Sequence, residues 1–227
     1  RQRYIAHRLM TNDFTPVEIL PGFITHQTQR SDSTREMRRD RFRPRDWDYL
    51  GWKYNLISSI ATAPFNHVVN YIPARSKQEF KAFPKKDKEF FNYWLDFTDK
   101  NIKYMRNVRP IIGQPMVGRC DGTSAIVKDN GYIFVFNPNY RKMTTGFDLN
   151  ESIGLTTGEH FILKEIYPAK DVAVSPGLMS YGDHLTLDMP GITAKVFKIK
   201  PADQPKEPRL IDVPGEASLR RGRLVLE

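Results

Sequence analysis

The chain changes its periodicity once, near Pro110, and that change limits the folds open to it. Before it, Lys85 to about Asn107 carries Phe90, Phe91, Trp94, Leu95, Ile102, Tyr104 and Met105 at helical spacing, with Lys, Asp and Asn between them. That is the pattern of a helix burying one stripe, and Thr98 with Asp99 offers a break into two helices. Beyond Pro110 glycine and proline recur and the apolar runs shorten. Ser124 to Val127, Tyr132 to Phe136, Phe161 to Tyr167, Val172 to Val174, His184 to Leu187 and Ala194 to Ile199 read as strands. Asp129, Asn130 and Gly131 mark a tight hairpin between the first two, because Asn and Gly accept the positive φ such turns need. Short strands in series build an antiparallel sheet or sandwich, so a boundary is expected between residues 108 and 118.

Upstream, Gly22 to Thr25 reads as a short buried strand behind Pro21, with His26 and Gln27 at its C-terminal end. In a parallel sheet or barrel that end faces the ligand; the alternative for His26 is a hydrogen-bonded loop histidine. Ser31 to Arg45 can form a helix through about Phe42, stopped by Pro44. In Trp47 to Ala63, Leu56, Ile57, Ile60 and Ala61 fit helical spacing while Ser58, Ser59 and Thr62 allow close packing. A helix ending before Pro64 follows, with a buried strand as the alternative. Its polar and aromatic head places Asp48, Trp52, Lys53 and Asn55 where a ligand-facing rim would meet a core, unless it is an ordinary core segment with an aromatic lip. Phe65 to Pro73 is loop with a short helix or strand, and Lys200 to Glu227 opens with a Pro-rich linker before two strand-like pieces around Pro214 and Gly215.

Composition removes several classes. With 227 residues, 40% of them hydrophobic and 12% aromatic, the chain has the means to build a core. The formal charge of +9 raises nucleic acid as a partner. However, Asp32, Glu36, Asp40, Asp46 and Asp48 lie in or beside the arginine run from Arg30 to Arg45, and Glu79, Asp87 and Glu89 in or beside the lysines from Lys81 to Lys88, as on solvated helix faces. Nucleic acid is therefore the lesser reading. The single Cys120 excludes an internal disulfide and multi-thiolate zinc sites, and the five histidines lack metal spacing, so no metal is expected. No phosphate loop or dinucleotide fingerprint is present, so no cofactor is expected. No apolar run reaches the roughly 18 residues of a spanning helix, and no membrane partner is expected.

Taken in order, GFITHQ at 22 to 27, DYLGWKYNLISSIATAP at 48 to 64, DGTSAIVKDNGYIFVFNPN at 121 to 139 and GEHFILKEIYP at 158 to 168 resemble the end of a (β/α)8-barrel glycoside hydrolase. The resemblance covers roughly residues 17 to 200 and implies an α+β chain. Its domains would be a partial (β/α)-barrel-like segment over 1–112, an antiparallel β-sandwich over 113–200, and a linker with a strand-like tail over 201–227 that either adds a strand to the sheet or starts a further domain. It also implies that most of the barrel lies upstream, which agrees with a chain that begins without Met. The partner would be a poly- or oligosaccharide held by His26, Gln27, Asp48, Trp52, Lys53 and Asn55, and the location extracellular or periplasmic. Such enzymes place two carboxylates about 5 to 10 Å apart. The strand end at His26 and Gln27 has none, and Asp46 and Asp48 are neighbours on one chain, so no catalytic residue is nominated and the catalytic pair is expected outside this chain. Two other functions compete: a basic polyanion-binding module using Arg35 to Arg45 for nucleic acid or acidic polysaccharide, and a structural assembly domain.

Overall fold

A computed structural model describes residues 22–24, 47–65, 67–69, 81, 85–175, 177–203, 217–220 and 223–226, with the backbone alone at 22–24, 47–52, 55, 67–69, 217–220 and 223–226. The fold is mixed, dominated by antiparallel sheet with few helices. Its first part is a strand, a helix and a second strand: β1 (Gly22–Ile24), α1 (Trp47–Ile60) and β2 (His67–Val69). β1 and β2 pair in parallel, with Gly22 opposite His67 and Ile24 opposite Val69. Parallel neighbours need a crossover, and α1 supplies it.

α2 (Lys85–Lys100) and α3 (Ile102–Met105) follow, then β3 (Val108–Ile111) starts the sheet. The sheet continues with β4 (Asp121–Val127) and β5 (Asn130–Asn137), while β6 (Met143–Asp148) leaves it. After β7 (His160–Tyr167), β8 (Val172–Ala173), β9 (Met179–Ser180) and β10 (His184–Met189), the long β11 (Thr193–Pro201) returns to its centre. The order across the seven-stranded sheet is β3, β4, β5, β11, β7, β8, with β9 also on β7. β6 and β10 form a separate antiparallel pair, and β12 (Ala217–Arg220) with β13 (Arg223–Leu226) makes a hairpin.

Alternation along the central strands explains the layers. One face of β5 carries Ile133 and Val135, which join Phe197 and Ile199 of β11 and meet Phe147, Leu185, Leu187 and Met189 from the β6/β10 pair. The other face carries Tyr132, Phe134 and Phe136, which join Ala194 and Val196 and meet Leu56, Ile57 and Ile60 of α1 with Trp94 and Phe97 of α2. Both faces are apolar, so both need a cover. β11 serves both cores by simple alternation, with Ala194 and Val196 on one face and Phe197 and Ile199 on the other; its register shifts between Val196 and Phe197 only against β7.

The helical face is built from interlocking rings. Trp94 has no exposed surface and sits edge-on to Phe97, Tyr167 and Phe90, with centroids 5.1, 5.8 and 6.3 Å away. The helix breaks at Asn101, three residues after Thr98: its Nδ2 donates to the Phe97 carbonyl (2.8 Å) and its Oδ1 accepts from the Tyr132 hydroxyl (2.8 Å). The end of the helix is thus fastened to β5. Phe97 is buried although it was not in the expected stripe, and Ile102, which was, is 39% exposed. Past Asn101 the 4-residue α3 returns Met105 and Tyr104 to the same core as Trp94 and Phe97.

The first hairpin turns one residue earlier than its Asp-Asn-Gly signal suggests. Val127 pairs with Asn130, which leaves Lys128 and Asp129 as the turn, and Lys128 takes the positive φ of 62°. Gly131 lies in β5 instead, where a Cβ would come within 2.1 Å of the Ala125 carbonyl oxygen. The glycine serves close strand approach rather than the turn.

Two outcomes follow for this helix and sheet seam. Trp94→Ala should cost about 3–5 kcal/mol, as for a large buried aromatic, whereas Tyr93→Ala, 53% exposed, should cost well under half of that in urea denaturation. Burial pushes the Tyr132 phenol up to about 12, with Tyr104 and Tyr93 adding to the rise, and burial also raises Tyr167. A raised folded value means the folded protein keeps a proton that the unfolded chain loses near the ordinary 10.0. Stability should therefore hold below pH 10 and fall as pH rises through 12, and Tyr132→Phe should make that decline shallower.

Candidate functional site

α1 divides into two halves. Leu56, Ile57, Ile60, Ala61 and Ala63 have no exposed surface, and Ser58, Ser59 and Thr62 are buried beside them. The small polar residues are satisfied locally or across the seam: the Thr62 hydroxyl donates to the Ser58 carbonyl (2.8 Å), and the Thr123 hydroxyl of β4 donates to the Ala61 carbonyl (2.6 Å). This second bond ties the C-terminal end of α1 to the sheet. The 61–66 link is short, so that end also lies near the start of β2. The N-terminal end then points toward the ends where β1 and β2 finish, because a crossover helix runs back along its parallel pair.

The expected rim residues distribute along this axis. Asp48 occupies the second position of α1, at the strand-end side, and Trp52 and Asn55 lie further along, the latter about 10 Å below Asp48 at 1.5 Å per residue. His26 and Gln27, which follow β1, lie outside the described residues, as do Ser31 to Arg45 with their arginine run. Lys53 is the one candidate whose side chain is described. Its Nζ lies 3.4 Å from Asp87 Oδ1 and 5.0 Å over the Phe90 ring, and its side chain is 24% exposed. It therefore stands in the seam between α1 and α2.

Among the lysines around it Asp87 has the sequence setting of a solvated face, yet it is buried at 1% exposure. The available signal was its place in the first turn of α2, where an acid meets the positive end of the helix dipole. The neighbouring lysines do behave as a solvated face: Lys85 pairs with Glu89 and Lys100 with Asp96, both at i,i+4 and largely exposed. Cys120 is buried, and burial followed by the charge of Asp121 raises its thiol, so it stays protonated and unreactive at neutral pH. No group of three or more metal-ligating side chains occurs among the described residues, and no described helix is long and apolar enough to cross a membrane.

No protein-family model and no curated protein matches the chain. Solved structures do. Over 80% of its length the chain superposes, with a TM-score of 0.50 and 12% identity, on 38% of a candidate α-N-acetylgalactosaminidase from Bacillus halodurans C-125. It superposes equally, again at 0.50 and 12% over 80% of its length, on 37% of a GH27 β-L-arabinopyranosidase from Geobacillus stearothermophilus in complex with arabinose. The chain spans less than two-fifths of either structure. Its fold is thus shared with part of a class of carbohydrate-active glycoside hydrolases, at an identity that speaks to fold alone.

A seam role for Lys53 has a measurable consequence. Lys53→Met removes a cation from a buried carboxylate and should cost about 1–3 kcal/mol in chemical denaturation. Lys85→Met, at an exposed i,i+4 pair, should change stability by less than about 0.5 kcal/mol.

Proposed function

We propose that this chain is the C-terminal portion of a barrel glycoside hydrolase: the last βα units of a (β/α)8 barrel, then an antiparallel β-sandwich. The observation that carries the reading is the parallel pairing of β1 with β2 across α1, since a parallel pair bridged by a helix is the unit such barrels repeat. The superpositions on glycoside hydrolases support it. In a barrel the substrate lies at the C-terminal ends of the strands. The residues that follow β1, His26 and Gln27, and Asp48 at the start of α1, with Trp52 and Asn55 further along it, then belong to the substrate rim. Aromatic faces hold the C–H surfaces of sugars, and amides and carboxylates bond their hydroxyls. Lys53 holds α1 in place behind them through Asp87.

The chemistry itself needs two carboxylates on opposite sides of the glycosidic bond. Asp46 and Asp48, two apart on one chain, cannot face each other across a sugar, so the catalytic pair is assigned to other strands of the barrel. The 227-residue chain alone should therefore show no glycosidase activity but should retain neutral oligosaccharides in a salt-insensitive way. Trp52→Ala should weaken that retention by about tenfold, the loss of one stacking ring. Binding that instead falls steeply with salt and with charge removal at Arg38, Arg39 and Arg41 would replace this reading with a polyanion-binding module.

A further inference from the structure

Three connections at one end of the seven-stranded sheet are fastened together by two asparagines. Asn137 ends β5 and has no exposed surface. Its Nδ2 lies within donating distance of the carbonyls of Arg141 (2.8 Å), Met189 (2.9 Å) and Pro190 (2.9 Å). Its Oδ1 accepts from the backbone N and the Nδ2 of Asn139, both at 3.0 Å. Asn139 extends the network: its Oδ1 accepts from Gly118 N (2.7 Å), its Nδ2 donates to the Arg119 carbonyl (3.0 Å), and its own carbonyl accepts from Ile192 N (2.8 Å). A buried amide with all its bonding capacity used resists rearrangement. The connections β3 to β4, β5 to β6 and β10 to β11 therefore move as one piece.

What this piece carries outward is apolar and basic. Val117 is 98% exposed, Tyr140 77% and Met116 49%. They are chain neighbours of the hydrogen-bonded Gly118 and Asn139. Arg119, Arg141 and Lys142 are exposed beside them. Lys142 is occupied by Asp188 at 2.6 Å, whereas no ion pair involves Arg119 or Arg141 among the described residues. One exposed apolar side chain is ordinary. Three of them, on connections locked by a buried polar network and next to two cations, stand outside both core clusters.

We propose that this tip seats on an anionic lipid surface, with Val117, Met116 and Tyr140 entering the headgroup boundary and Arg119 and Arg141 meeting the lipid phosphates and carboxylates. Charge complementarity and the apolar tip together select this occupant. A neutral glycan offers nothing to a fully exposed valine, and an acidic glycan would use the arginines while leaving Val117 and Met116 in water. The contact is peripheral and needs no spanning helix. It does not rest on the substrate rim proposed above.

The test uses the full chain with vesicles of phosphatidylcholine alone or with a third phosphatidylserine. Two cations should give roughly 30-fold stronger sedimentation with the anionic vesicles, weakened by salt. Because Cys120 is buried, Val117→Cys can be labelled with an environment-sensitive dye, whose emission should shift to the blue on anionic vesicles. Val117→Asp with Tyr140→Asp should abolish sedimentation, and Arg119→Ser with Arg141→Ser should remove the anionic preference, both at unchanged melting temperature. The proposal is overturned if the chain ignores anionic vesicles. It is also overturned if it sediments with no dye shift, which is adsorption through other basic segments, or if an acidic polysaccharide and not the vesicles is retained through the same side chains.

Discussion

Burial on both faces of one antiparallel sheet is the constraint on which the rest of the structure depends. Along β5, Tyr132, Phe134 and Phe136 face the helices while Ile133 and Val135 face the β6/β10 pair, and all are buried. Burying a side chain of this size contributes about 1.5–3 kcal/mol, so exposing either face would forfeit several such contributions at once. The helices complete the core on one face of the sheet, and only Arg106 and Asn107 separate α3 from β3.

That arrangement decides what α1 can present. Its second half is enclosed and tied to β4 through Thr123, and its middle is held to α2 by Lys53 on Asp87. A helix fixed at its centre and its C-terminal end has little freedom at its start. The first turn, with Trp47 and Asp48, is thus mounted on a rigid support at the side where the parallel strands finish. The proposed rim would depend on this support more than on any single contact, because misplacement of binding groups by about 1 Å is costly.

The fold was legible where one physical rule governed a segment. The strands of the central sheet show β-branched and aromatic runs between turn residues, and α1 shows small residues where helix and sheet approach closely. β6, MTTGFD, was not read from the sequence. Only Phe147 in it is fully buried, and Met143 merely packs against the core, so its alternation is faint. β3 was missed as well: a 4-residue edge strand containing Pro110 offers little pattern to a reading based on runs. Asp87 and Gly131 failed for a different reason. Each residue type has a common local role, a solvated acid and a turn glycine, and in each case tertiary contact displaced it. For the candidate site, the sequence could name polar and aromatic types near a strand end and a helix start, but it could not show that Lys53 turns toward α2.

The same reasoning explains how a fold can be shared at 12% identity. Two-faced burial asks only that apolar residues recur on alternate positions and that covering helices present a stripe, and many sequences meet that demand. Chemistry is stricter, since it needs a given atom at a given place. The tie between Thr123 and Ala61 joins helix to sheet and asks only for some contact at that seam, whereas a carboxylate cannot be replaced across a glycosidic bond. Resemblance of the sheet and its helices therefore carries a fold and not a chemistry.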